Sequence, residues 1–118
     1  MYKVFLKSFG YRYGEPEADL IFCAMTLPDP YFYIDAQCKT GLDKEISDIL
    51  LEQDKIQEFI LNALIHIFEE LKTKDELTVA VGCVGGKHRS VAITSELYKW
   101  IAEEGNDVTL THIDIEKD

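Results

Sequence analysis

The run LTVAV (Leu77–Val81), followed at once by GCVGGKHRS (Gly82–Ser90) and then by SVAITSELYKWIAEE (Ser90–Glu104), constrains this chain more than any other stretch. A short β-branched apolar run reads as a buried strand. Three glycines stop it, and the segment beyond carries apolar residues at helical spacing. A strand that feeds a helix through a glycine turn belongs to an α/β domain, in which the helix packs back on the sheet. Val91, Ala92, Leu97, Tyr98 and Ile101 are expected to face that core, with Gly105-Asn106 as the stop after the helix.

The other elements agree with this class. YKVFLKS (Tyr2–Ser8) alternates as a strand, DLIFCAM (Asp19–Met25) reads as a second, buried strand, and DVTLTHIDI (Asp107–Ile115) as the last. Pro28, Pro30 and Gly41 then forbid a long regular element. A short helix is expected around Lys44–Leu51 and a long one from about Asp54 to Leu71. On the long helix Ile56, Phe59, Ile60, Ala63, Leu64, Ile67, Phe68 and Leu71 form one wide apolar stripe, and His66 lies off it as a solvated residue. The order β, β, α, α, β, α, β predicts a single small, mostly parallel sheet of about four strands with helices packed on it. Ligands of such sheets bind beyond the carboxyl ends of the strands, so the loops after Ser8, Met25 and Val81 are candidates to meet.

Composition narrows the function. The 118 residues fit one domain spanning the whole chain. No apolar run approaches the roughly 20 residues of a membrane helix, and the N-terminus lacks a signal h-region. Cys23, Cys38 and Cys83 form no C-x-x-C pair. We therefore expect a cytoplasmic protein with free thiols, no membrane contact, no disulfide framework, no metal site and no cofactor. A net charge of −10 disfavours nucleic acid, whose binding needs clustered Lys and Arg.

The glycine stretch suits an anion. A glycine-rich turn that opens a helix aims several backbone N–H groups, and the positive end of the helix dipole, at one point. Gly82, Gly85 and Gly86 allow close backbone approach, Lys87 adds a mobile charge, Arg89 a planar fork and Ser90 a hydroxyl. Arg12 is the only other arginine, and it too lies in a glycine-containing segment that leaves a strand. A Walker A loop fails at Val81 and His88, which stand where glycine and Ser or Thr belong. The tyrosine-phosphatase signature C-x-x-G-x-x-R-[ST] matches at Cys83, Gly86, Arg89 and Ser90, with Asp29 as the best-placed general acid. Against that reading, Gly82 replaces the histidine that usually precedes the cysteine. A ligand-free strand-to-helix turn is the third alternative.

The segments SFGYRYG (Ser8–Gly14), LPDPY (Leu27–Tyr31), TGLDK (Thr40–Lys44), GCVGGKHRS and HIDIEK (His112–Lys117) together cover nearly the whole chain and resemble the C-terminal domain of the RapZ family of RNase adapters. The resemblance implies a fold similar to a phosphofructokinase subdomain and binding of glucosamine-6-phosphate, with small RNAs bound by some members. It places ligand contacts on Gly85 and Arg89, with Gly86, Lys87, His88 and Ser90 in the same motif. Family proteins also carry a nucleotide-binding domain with a Walker A loop, which nothing here matches. A free-standing or excised domain is thus expected, and ATP or GTP binding does not carry over. Val84 replaces a family threonine, Tyr31 a histidine, Cys23 an aspartate and Ile113 an arginine. The phosphate end of the site is better matched than the sugar end, and RNA binding is disfavoured. Asp43 reads as a helix N-cap or first-turn acid, and Tyr11 and Tyr13 as loop-packing residues. The expected function is a non-catalytic sensor of a phosphorylated small molecule that passes its state to a protein partner. A Cys-dependent phosphatase is the alternative and an RNA-binding module the third.

Overall fold

The computed structural model of the protein describes residues 2–28 and 39–117. Its elements are β1 (Lys3–Gly10), a 3-10 turn (Tyr11–Tyr13), β2 (Leu20–Cys23), α1 (Lys44–Leu51), α2 (Asp54–Leu71), β3 (Glu76–Cys83), α3 (Arg89–Glu103) and β4 (Asp107–His112). The strands form one sheet in the order β2-β3-β1-β4, with every neighbouring pair parallel. This is the expected α/β architecture, and the sheet is wholly rather than mostly parallel.

Parallel neighbours need crossovers, and crossovers are right-handed. The connections β2 to β3 and β3 to β4 step across the sheet in one direction, and β1 to β2 steps in the other. Handedness therefore puts the helices on one face and the connection after β1 on the opposite face. Register agrees. Val108, Val4 and Leu77 lie in one row, then Leu110, Leu6, Val79 and Leu20, then His112, Ser8, Val81 and Phe22. The apolar members of these rows pack with Ile46, Ile60, Ile67, Ile93, Leu97 and Ile101 of the helices in one core. On the other face Phe9 is fully buried, with Tyr11 against it edge-on at 4.8 Å.

Both helix stripes arise from three- and four-residue apolar spacing. In α2 the buried set is Ile56, Ile60, Ala63, Leu64, Ile67 and Leu71, while Phe59 and Phe68 are half-buried at its margins. His66 is exposed, bonded to the Asn62 carbonyl at 2.7 Å, with its ring edge toward Phe22. Gly105 ends α3 in the left-handed conformation, with φ 87°.

Three expectations need correction. β2 is an edge strand rather than a buried one, with Ile21 and Cys23 exposed, because only β3 pairs with it. Tyr98 points outward, and Ile93, one turn nearer the start of α3, fills the core instead. β4 ends at His112, so Ile113–Lys117 is a turn and not strand.

The central row predicts the stability of the fold. Leu6→Ala, on the middle strand and fully buried, should lower unfolding free energy by about 2–5 kcal/mol. Ile65→Ala, at a side chain 61% exposed, should change it by less than about 0.5 kcal/mol. Urea unfolding followed by far-UV circular dichroism measures both, and equal effects would contradict the assigned core.

Candidate functional site

The rows of residues facing the helices change character along the strands. They are apolar at the amino end, then give way to the pair Ser8 and His112, and finally to Gly10 and Cys83. The connections that leave the four strands gather beyond that end, and hydrogen bonds join them. Arg12 N–H donates to the Val84 carbonyl (3.1 Å), tying the turn after β1 to the glycine loop after β3. Gly41 N–H donates to the Lys87 carbonyl (2.7 Å), bringing the TGLDK segment onto the same loop. Ile113 N–H donates to the Ser8 carbonyl (2.9 Å) and carries the final turn across β1.

His88 and Arg89, at the start of α3, hold two stretches of the β2–α1 connection. Arg89 is 6% exposed, and its Nη1 donates to the carbonyls of Met25 (2.8 Å) and Leu27 (3.1 Å). His88 occupies the N-cap position of α3 without capping it, and its Nε2–H donates to the Lys39 carbonyl at 2.6 Å. Arg89 thus acts as a structural tether within the site as well as a source of charge. Asp43 stands at the N-cap of α1, as expected, but its carboxylate turns back to accept the Thr40 N–H at 2.7 Å.

Gly85, Gly86 and Lys87 lie between these anchors. Their backbone N–H groups donate no hydrogen bond among the described residues. A Cβ built on Gly85 would meet no atom within 4 Å, so this part of the loop borders open space. Gly86 is the reverse: φ is 72°, and a Cβ there would lie 2.6 Å from the Gly10 nitrogen and 3.0 Å from Asp114 Cβ. Lys87 is half-buried, Arg12 is exposed, and neither forms an ion pair among the described residues. Arg12, Gly85, Gly86, Lys87, His88 and Arg89 are therefore brought together. Asp29 lies outside the described residues.

Ser90 and Cys83 take a different place. Ser90 is fully buried, and the Cys83 thiol, 3% exposed, donates to its Oγ at 3.2 Å. Cys83 is on the helix-facing side of β3 and belongs to the apolar core. Sequence reasoning missed three participants: Gly10, Asp114 and the Ser8–His112 pair, whose Oγ and Nδ1 are 2.7 Å apart. The available signals were the SFGYRYG segment, which holds Ser8 and Gly10, and the HIDIEK segment, in which His112 and Asp114 are two residues apart. Tyr11 has its phenol pushed up to about 12, first by burial and then by the neighbouring Cys23 thiol, so it remains a neutral hydroxyl.

The model of the RapZ C-terminal domain matches residues 2–116. This chain belongs to that family. Similar proteins include the nucleotide-binding protein of Caldicellulosiruptor bescii, 40% identical over 96% of this chain and 41% of the relative. Those of Glaesserella parasuis, 34% identical over 97% of this chain and 42% of the relative, and Clostridium botulinum, 38% over 94% and 40%, match over the same part. The chain thus spans about two fifths of the length of these curated relatives. Among the described residues no helix is long and apolar enough to cross a membrane. Of the five segments that pointed to the RapZ C-terminal domain, SFGYRYG, GCVGGKHRS and HIDIEK meet at the carboxyl end of the sheet, TGLDK packs on the start of α3, and LPDPY runs from Leu27 into undescribed residues.

The half-buried His112 gives the site a measurable pH signature, because burial holds its imidazole below the ordinary value. The unfolded chain then takes the proton first, at about pH 6.5. The stability due to neutral His112 is complete above that pH and is lost as pH falls through the lower, folded value. His112→Gln should remove this part of the pH dependence in urea unfolding series, leaving a shallower decline below about pH 6.5 than in the parent. Parallel curves for the two proteins would contradict it.

Proposed function

We propose that this domain is a non-catalytic sensor that binds a phosphorylated small molecule, a sugar phosphate such as glucosamine-6-phosphate, at Gly85–Lys87. The observation that carries the reading is the set of backbone N–H groups of Gly85, Gly86 and Lys87, which donate to nothing described and sit just before the N-terminus of a 15-residue helix. A phosphate there gains several N–H donors and the favourable end of the α3 dipole. Lys87 and Arg12 lie alongside, and Arg89 adds fixed charge in the first turn of α3.

Charge distribution supports an anion despite the acidic total. Arg12, Lys87 and Arg89 lie on or beside the gathered loops, while Lys39 and Lys117 there are paired with Glu45 and Asp114. Cations grouped at one loop cluster, in a protein of net charge −10, would favour small anions over polyanions. The relatives' name, nucleotide-binding protein, refers to chains about two and a half times as long as the segment matched. The loop here departs from Walker A at Val81 and His88. A sugar phosphate therefore fits this domain better than a nucleoside triphosphate. A sensor in the cytoplasm would report the occupancy of the loop to a protein partner.

The contact between Cys83 Sγ and Ser90 Oγ favours the second reading, a Cys-dependent phosphatase. Its weakness is placement: a nucleophile that is 3% exposed and packed with the core cannot reach phosphorus at the loop's open side without rearrangement.

Titration calorimetry with inorganic phosphate and glucosamine-6-phosphate tests both. Lys87→Ala should weaken each ligand by about 1.5–3 kcal/mol, the range for a hydrogen bond to a charged group. Gly85→Ala should also weaken binding while leaving the unfolding midpoint unchanged or slightly raised, since its Cβ meets no protein atom. Parent-like affinity in both variants would remove the anion-loop reading. Turnover of an aryl phosphate by the parent, abolished in Cys83→Ser, would replace the sensor with the enzyme.

A further inference from the structure

Asp114 is the most deeply buried charged side chain among the described residues, 1% exposed, and it lies in the turn after β4, outside the glycine loop. Burying a carboxylate is costly unless it is hydrogen-bonded and neutralised. Both occur here. Oδ2 accepts the Gly10 N–H at 2.8 Å, and Oδ1, which accepts no hydrogen bond, is charge-paired with Lys117 Nζ at 2.6 Å, itself 4.8 Å from the centre of the Tyr13 ring. The Asp114 side chain therefore fastens the final turn to the exit of β1.

The consequence reaches the glycine loop through contact. A Cβ on Gly10 would lie 2.5 Å from the Gly85 carbonyl carbon and 2.8 Å from the Gly86 nitrogen. The backbone of Gly10 thus rests directly on the peptide between Gly85 and Gly86, and Asp114 Cβ borders Gly86 on another side. A rigid support under that peptide fixes where the N–H groups of Gly86 and Lys87 stand. The support is backbone held by one carboxylate.

We infer that Asp114 is a positioning residue for the anion loop: by holding Gly10 against Gly85–Gly86 it presets the loop's N–H groups for a phosphate. The inference rests on the phosphate reading given above. A charged group so close to an anion site would oppose the ligand if left bare, and Lys117 cancels that charge locally. The acceptor oxygen, rather than the negative charge, does the positioning. Asparagine should therefore serve nearly as well as aspartate, whereas serine is too short to reach the Gly10 N–H.

Two measurements on the full chain test this. In calorimetric titration with inorganic phosphate, Asp114→Ser should bind at least roughly tenfold more weakly, and Asp114→Asn within about threefold of the parent, as expected when a donor set loses or keeps its geometry. In hydrogen exchange on ligand-free protein, Asp114→Ser should speed exchange at Gly85–Lys87 relative to Leu6 and Val79 in the central strands, and Asp114→Asn should not. A folded Asp114→Ser with parent-like affinity and loop exchange overturns the proposal. So does equal loss in both variants, which would assign the effect to charge. If Asp114→Ser does not fold, Asp114→Asn decides, since lost affinity there contradicts the acceptor role. If the parent binds no phosphate, the phosphate reading fails, and the exchange comparison alone shows whether Asp114 holds the loop.

Discussion

The carboxyl end of this sheet depends on how closely two pieces of backbone approach, at Gly10 and at Gly85–Gly86. Any side chain at Gly10 would overlap the Gly85–Gly86 peptide, and any side chain at Gly86 would overlap the Gly10 nitrogen. That approach lets the glycine loop after β3 fold over the exit of β1 and enter α3 in register. It also commits backbone groups in the middle of a polar cluster, and the Asp114 carboxylate satisfies one of them.

The sheet topology makes that approach unavoidable. β1 and β3 are neighbours in parallel register from Lys3 opposite Glu76 to Gly10 opposite Cys83, so both strands deliver their loops at the same height. β2 and β4 flank them and end there as well. Helices on one face then bring the start of α3 under the cluster, where His88 and Arg89 bond carbonyls of the β2–α1 connection. A site assembled from four strand ends and one helix start has its donors preset by the core below, which would lower the ordering cost of capturing a small anion as proposed. The same construction explains why Ser90 and Cys83 face inward: they are the last polar layer of the core rather than the first layer of the site.

Much of this was legible in the sequence. Periodicity placed α1 and α2 with their observed bounds, because amphipathic helices carry their own burial pattern. The element order implied the parallel sheet through the length of its crossovers. The glycine spacing and the two arginines pointed to the loop cluster. What escaped was set by long-range contact. The edge position of β2 depends on strand order, which local apolar content does not encode. The outward turn of Tyr98 depends on which side of α3 meets β1 and β4. Arg89 could be assigned charge and donors from sequence, but not the Met25 and Leu27 carbonyls, more than 60 residues away. Asp114 looked like part of a last strand, and only the observed turn shows its carboxylate under Gly10.

The central claim is that the backbone N–H groups of Gly85–Lys87 receive a phosphate. It is tested most directly by amide-resolved nuclear magnetic resonance of the chain titrated with inorganic phosphate and then with glucosamine-6-phosphate. The account predicts saturable shifts largest at Gly85, Gly86 and Lys87 and in the first turn of α3, with both ligands moving the same amides. Shifts that are absent, or that centre on amides away from this loop, would contradict it.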